Sequence, residues 1–169
     1  MKKFLIVFAV LLLAASSAWA QTAEKEGRRT TWYAGGGVAA FDADIFNNPG
    51  ANAFIGFRNY NRQKIISFSY SAELNGFFLP YKDELDPSSF SFDYAAFVVP
   101  EIGVVAGWTP GFKGYLHGGV ALGYTNVEDS FWGFKYGFGL DFGKHISTDI
   151  YGIFLSDLKL VSVALYWRF

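Results

Sequence analysis

Two histidines and a group of carboxylates account for most of the chemistry that this 169-residue sequence could perform. His117 follows the turn at Pro110 by about as many residues as Glu101 precedes it, so two antiparallel strands would bring the two side chains together. A carboxylate beside an imidazole can orient the ring for general base catalysis. The same pair is also a common structural hydrogen bond in a polar core. Because no serine or cysteine nucleophile is placed beside it, we expect no catalytic residue.

The composition gives little evidence of a metal site, a cofactor or a nucleic-acid partner. The sequence contains no cysteine, and its two histidines do not fall with carboxylates at the spacings of a metal site. We therefore expect no metal and no cofactor. A net charge of −1 argues against a nucleic-acid partner.

The N-terminus is typical of a cleavable secretory signal. Lys2 and Lys3 precede an apolar run over residues 4–15, and the small-residue site Ala18-Trp19-Ala20 follows it. The run is shorter than the roughly 20 residues that a membrane-spanning helix needs. We assign residues 1–20 to a signal peptide, which makes the protein an exported one; an uncleaved membrane helix is the alternative.

The rest of the chain is too apolar for an ordinary water-soluble domain. The full sequence is 51% hydrophobic and 20% aromatic, with only 17% charged residues. After the signal, no run of about 18 apolar residues could form a spanning helix. Because unpaired backbone groups are costly in hydrocarbon, only helices and closed barrels can cross it. The composition therefore favours a membrane β-barrel.

Alternation of apolar and polar residues divides the chain into eight strands, separated by Gly, Pro, Asn and Asp turns. The predicted strands cover about residues 31–41, 51–59, 65–77, 90–108, 112–125, 131–142, 145–155 and 158–169. The predicted fold is all-β: an eight-stranded antiparallel up-and-down transmembrane β-barrel. Residues 21–30 form a short periplasmic lead, and residues 31–169 form the barrel domain.

Two strands carry an ambiguity. Pro100 interrupts the fourth strand, which must either end there or carry a bulge, since proline cannot donate to the ladder. Ending it there would give nine strands, whereas bacterial barrels have even numbers, so we expect a local irregularity within one strand. In the second strand the pattern does not decide whether Phe54 or Ile55 faces inward.

The large aromatic rows are too bulky for a narrow interior, so we expect them to face lipid and the polar rows to face the lumen. An eight-stranded barrel is about wide enough for side chains to fill it. Buried charges persist only when they are paired, so we expect a plug of ion pairs in which Lys135 serves Glu73 or Asp93. The predicted lumen network contains Arg58, Glu73, Asp93, Glu101, His117, Lys135 and Asp141, together with Asp149 and Arg168.

Aromatic residues also recur at the strand ends, as in the interfacial girdles of barrels. With the mature N-terminus in the periplasm, Trp32, Trp108, Phe142 and Trp167 fall at one level, and Trp132 falls toward the other.

The signal segment, the eight alternating strands, the glycine-rich inner rows and the terminal Tyr166-Trp167-Arg168-Phe169 together resemble the small OmpA-like and opacity-type outer-membrane barrels of Gram-negative bacteria. The resemblance implies a place in the outer membrane, in contact with its lipid and lipopolysaccharide. It also implies that the barrel assembly machinery reads the last strand. That signal would comprise Val161, Val163, Leu165, Trp167 and Phe169.

The resemblance extends to two lipid A-modifying enzymes of eight strands, one of which carries a His-x-Ser motif. His145-Ile146-Ser147 is similar to it, but it follows the Gly143-Lys144 turn at the periplasmic end, whereas the enzyme's motif belongs near the outer end. Only one loop, at 78–89, is of any length, which argues against an adhesin. We expect a monomeric, non-enzymatic envelope protein with a structural or surface-interaction role. A narrow porin-like pore and a lipid A-modifying enzyme are the alternatives.

Overall fold

The structure is a computed structural model that describes residues 28–41, 49–82, 90–109, 111–126, 132–155 and 159–169. The predicted signal peptide and most of the predicted lead lie outside these residues. The described chain forms eight strands: β1 (Arg28–Phe41), β2 (Gly50–Asn61), β3 (Ile66–Lys82), β4 (Phe90–Thr109), β5 (Phe112–Thr125), β6 (Trp132–Phe142), β7 (Ile146–Phe154) and β8 (Lys159–Arg168).

Each strand pairs antiparallel with the next one along the chain, and β8 pairs with β1 to close the barrel. The closing register runs from Tyr33 opposite Arg168 to Phe41 opposite Leu160. This confirms the predicted eight-stranded up-and-down barrel. Closure leaves no strand edge within the sheet, so every strand has a partner on both sides.

No helix among the described residues has the length and apolar character needed to cross a membrane.

The two ends of the barrel differ in their connections. At one end, hereafter the turn end, β2 and β3 are joined through residues 62–65, β4 and β5 through 110–111, and β6 and β7 through 143–145. Gly143 takes a φ of 60° there, a conformation that glycine adopts without strain. The connections at the other end, hereafter the loop end, run through 42–49, 83–89, 126–131 and 155–158.

Successive side chains of each strand alternate between the apolar outer face and the inner face that carries the polar residues, as the period of two requires. In β3, Phe68 is 78% exposed, whereas its neighbours Ser67 and Ser69 are buried. In β6, Phe134, Tyr136 and Phe138 point outward. The ambiguity in β2 is resolved, since Phe54 is buried inside and Ile55 is exposed outside.

Three local features differ from the sequence-based expectation. β3 continues to Lys82, so the first five residues of the predicted 78–89 loop belong to the strand. β1 begins at Arg28, three residues before its predicted start. At Pro100 the strand continues without a bulge: Val98 pairs with Leu122 and Glu101 pairs with Gly119 in one register. The expected irregularity there is limited to the missing β5 partners of residues 99 and 100. The register shift in this pair of strands lies instead between Gly107 and Thr109.

The interior is filled in three layers. Toward the loop end it is apolar and aromatic, and in the middle it is charged. Toward the turn end, tyrosines surround arginines. The apolar layer contains Phe77, Phe97, Ile153, Leu155 and Leu160, all buried. These layers explain why an eight-stranded barrel has a solid core.

Candidate functional site

The middle layer is a continuous chain of ionised side chains centred on Lys135. Its ammonium donates to Glu73 Oε1 at 2.6 Å and lies 2.8 Å from Glu101 Oε1. Glu101 Oε2 in turn accepts from Ser71 Oγ at 3.0 Å. Lys135 Nζ also sits 4.2 Å from the centre of the Tyr151 ring, a cation–π distance. All of these groups are buried, so the pairing offsets a large desolvation cost.

His117 extends this chain toward a third carboxylate. Its Nδ1 lies 3.3 Å from Glu101 Oε2, and its Nε2 lies 3.1 Å from Asp149 Oδ1. An imidazolium can donate from both ring nitrogens. With His117 in that form, the buried acids and cations of the described residues match in number. The acids are Glu73, Glu101, Asp141 and Asp149, and the cations are Arg58, His117, Lys135 and Arg168.

Glycines on β6 make the contact between His117 and Asp149 possible. His117 pairs with Gly137, and Asp149 pairs with Gly139, so the two side chains reach across a strand that has none at those positions. A Cβ on Gly137 would lie 2.7 Å from His117 Nε2, closer than packing allows.

The layer toward the turn end combines two arginines with one carboxylate and three tyrosines. Arg168 Nη1 donates to Asp141 Oδ2 at 2.7 Å, and Arg58 Nη1 lies 4.0 Å from Asp141 Oδ1. The Arg58 guanidinium stacks 3.6 Å from the centre of the Tyr115 ring and donates to Tyr166 OH at 3.2 Å. These planar contacts suit arginine better than lysine.

The remaining predicted lumen residue lies elsewhere. Asp93 is half-exposed near the loop end, where its Oδ1 accepts from the Asn126 amide at 3.3 Å. Of the two partners expected for Lys135, Glu73 is the one that the ammonium contacts, together with Glu101. Asp93 has the inward parity of β4, but it lies too near the loop end to reach the middle layer.

The structure does not assemble the His145-Ile146-Ser147 motif into a site. The His145 ring stacks on Trp167 at 4.8 Å, on the outer surface. Ser147 points into the lumen, where its hydroxyl donates to Asp141 Oδ1 at 2.7 Å. Among the described residues, no group of three His, Cys, Asp or Glu side chains is arranged to hold a metal ion.

The predicted girdle residues point outward where their side chains are described. Trp32, Phe142 and Trp167 lie at the turn end and Trp132 at the loop end, each 41–53% exposed. The backbone of Trp108 lies in β4 at the turn end, and its side chain is outside the described part. In the predicted assembly signal, Val163, Leu165, Trp167 and Phe169 are exposed on the outer face and Val161 is partly so.

Sequence reasoning missed the tyrosines of the turn-end layer as a set. Tyr33, Tyr115 and Tyr166 are buried, and the hydroxyls of Tyr115 and Tyr166 are hydrogen-bonded to each other. Their inward parity on β1, β5 and β8 was the available signal, because a buried tyrosine needs a polar partner.

A closed wall that is apolar outside and ionised inside defines the class of small membrane β-barrels. No family model and no curated protein matches the chain. Among solved structures, the outer membrane enzyme PagL is similar with a TM-score of 0.51 and 12% identity, covering 82% of this chain and 97% of that one. At that identity the likeness shows the fold alone.

Two further solved structures are similar at lower scores. The Yersinia pestis outer membrane protein Ail, studied in a phospholipid bilayer nanodisc, has a TM-score of 0.47 and 16% identity, covering 85% of this chain and 100% of that one. A de novo designed transmembrane β-barrel has a TM-score of 0.45 and 13% identity, covering 85% and 96%.

Proposed function

We propose that this chain is a non-enzymatic outer-membrane β-barrel protein with a structural or surface-interaction role in the cell envelope. The observation that carries the proposal is the sidedness of the wall. Phe68, Ile102 and Leu116 are 62–78% exposed on the outside, while the ionised residues are buried inside. A water-soluble carrier barrel would have the opposite arrangement, and exposed apolar surface of this extent marks a membrane contact.

The proposed partners follow from the same surface. The outward aromatics near both ends fit two membrane interfaces, and the belt between them fits lipid. In this orientation the turn end faces the periplasm, and the loop end meets lipopolysaccharide. The exposed side chains of β8 fit recognition by the barrel assembly machinery, as in the OmpA-like and opacity-type barrels that the sequence resembles. We propose that the protein acts as a monomer.

The decisive experiment is gel migration of membrane fractions with and without boiling. A folded barrel shifts its mobility on heating, and we expect the shift in the outer-membrane fraction. N-terminal sequencing of the same band should begin at Gln21 if the signal peptide is removed. A protein that fractionates as soluble, or shows no shift, would contradict the proposal.

The non-enzymatic part of the proposal is supported by the surroundings of His117. Both ring nitrogens face carboxylates, so neither is free to take a proton from a nucleophile. The nearby hydroxyl of Ser71 is itself bound to Glu101. We expect the purified protein to release no acyl chains from lipid A. Release that is lost in His117→Ala would instead identify an enzyme.

The absence of a pore is proposed because large side chains occupy the lumen. Tyr33, Tyr115, Phe97 and Lys135 are almost completely buried there. We expect no single-channel conductance in planar bilayers. Conductance that changes when Lys135 or Glu73 is replaced would favour a narrow pore.

A further inference from the structure

A cavity of about 170 Å³ opens at the turn end of the barrel, and its lining is cationic. Arg62, Lys113, Lys144 and Arg168 surround it, against one carboxylate, Asp141. These four cations and the space between them are called the cationic bowl below. In the proposed orientation, the bowl faces the periplasm.

Asp141 is occupied by Arg168, which is itself one of the four bowl cations, and by Ser147, so it does not neutralise the other three. Its Oδ2 accepts from Arg168 at 2.7 Å, and its Oδ1 accepts from Ser147 at 2.7 Å. Arg58 lies 4.0 Å from the same carboxylate on the lumen side. Within the described part of the chain, no carboxylate forms an ion pair with Arg62, Lys113 or Lys144.

The structure holds two of these like charges close together. Lys113 Nζ lies 4.8 Å and the Arg62 guanidinium 5.9 Å from the centre of the same Tyr60 ring, which is buried. Arg62 Nη2 also donates to Thr31 Oγ1 at 2.6 Å, which fixes its direction. Cations that are positioned in advance and lack an anionic partner can give much of their interaction energy to a ligand.

We propose that the cationic bowl binds a multivalent phosphate-bearing anion. Four cations against one carboxylate leave three positive charges in excess, which a monovalent carboxylate or halide would not balance. Arginine presents forked donors to phosphate oxygens, and lysine binds phosphate as a point charge. The bowl is open to water, so either a free phosphate compound or the headgroup of an anionic phospholipid could reach it.

The experiment measures pyrophosphate binding by titration calorimetry, using the full-length protein refolded in neutral detergent at low ionic strength. We expect saturable binding that weakens with added salt. The double substitution Arg62→Gln/Lys113→Gln should weaken it by about tenfold or more, as loss of charge-assisted contacts predicts. The matched control is Lys64→Gln/Lys159→Gln, which removes the same charge outside the bowl and should change affinity by less than about twofold.

Nanodiscs distinguish the two sources of phosphate. If anionic headgroups fill the bowl, discs containing phosphatidylglycerol should weaken pyrophosphate binding relative to phosphatidylcholine discs. Equal affinity in both discs would identify a free anion as the ligand.

The proposal would be overturned by no saturable binding, by equal loss in the two double variants, or by acetate binding as tightly as pyrophosphate. Glu24 and Glu26 precede β1 at the turn end. Binding that appears only in Glu24→Gln/Glu26→Gln would also overturn it, because the chain's own carboxylates would then be the occupant. The heat-shift assay on each variant checks folding separately from binding.

Discussion

The middle of the lumen and the cationic bowl use the same kinds of cation in opposite ways. In the middle, Lys135 has two carboxylates within 2.8 Å and is buried. At the bowl, Lys113 is half-buried and faces Tyr60 and other cations. A paired cation that water cannot reach contributes to folding, whereas an unpaired cation at an opening is available to a ligand.

The layer between the two regions keeps them separate. The Tyr115 and Tyr166 rings lie beside Arg58, which contacts the rings on one side and Asp141 on the other. The charges of the middle layer are therefore not shared with the bowl. The lumen therefore has a structural part and a part left open for binding. Substitutions in the two parts should have different effects.

The largest effect should come from Lys135→Ala. The change leaves Glu73 and Glu101 buried without their shared cation, which should cost about 3–5 kcal/mol of unfolding free energy. Urea unfolding in lipid vesicles, followed by tryptophan fluorescence, measures it. The control Lys64→Ala, in an exposed turn, should stay within about 0.5 kcal/mol. Equal losses in the two variants would remove the distinction between paired and open cations.

Leu116→Arg tests the apolar outer wall that encloses both regions. Leu116 is 62% exposed on the outer face, as the fifth of the 14 residues of β5. A charge there should cost about 2–4 kcal/mol if the surface lies near the centre of the bilayer. Ile65→Arg, in a turn at the barrel end, should cost about 1 kcal/mol or less. A neutral Leu116→Arg in vesicles would argue against membrane insertion of this face.

Gly139→Ala should disturb the boundary between the two regions. A Cβ at Gly139 would overlap the Tyr115 ring and lie 2.6 Å from the Thr148 carbonyl oxygen. The strain should cost about 1–3 kcal/mol. Gly114→Ala is the matched control, because its Cβ would meet nothing closer than Phe138 at 3.6 Å. Identical unfolding curves for both variants would show that Tyr115 can move aside freely.

A double-mutant cycle between His117→Asn and Asp149→Asn should detect pairing directly. The two side chains lie 3.1 Å apart, so we expect a coupling energy of about 0.5–3 kcal/mol in urea unfolding. The control cycle of Lys159→Gln with Asp141→Asn joins residues near opposite ends of the barrel and should give less than about 0.5 kcal/mol. Equal coupling in the two cycles would mean that His117 and Asp149 are not specifically paired.

The sequence predicted the wall better than the lumen. Alternation put Phe134, Tyr136 and Phe138 on one face, because the strand period acts locally and needs no knowledge of neighbouring strands. The bulk of these side chains then predicted that this face is the outer one, as the structure has it. The short distance between Glu101 and His117 was predictable, because the two residues are nearly equally far from the turn at Pro110. The contact of Asp149 with His117 was not predicted from the sequence, since the two side chains meet across β6.

The bowl could not be predicted for the same reason. Arg62 and Lys144 come from two separate turns and Lys113 from the start of β5, and only the closure of the barrel brings them around one cavity. A signal for the contact across β6 did exist in the sequence. Gly137 and Gly139 share the inward face, and a row of glycines on one strand allows the side chains of its two neighbours to meet.

The smallest effect should come from removing cations from the bowl itself. Arg62→Gln/Lys113→Gln takes away two like charges that share the Tyr60 ring, so relief of repulsion offsets the lost cation–π contacts. We expect the free energy of unfolding to stay within about 0.5 kcal/mol of the unmodified protein. The same substitutions should weaken pyrophosphate binding, so the two measurements separate a binding role from a structural one. A loss of stability approaching that of Lys135→Ala would instead assign these cations to the folded core.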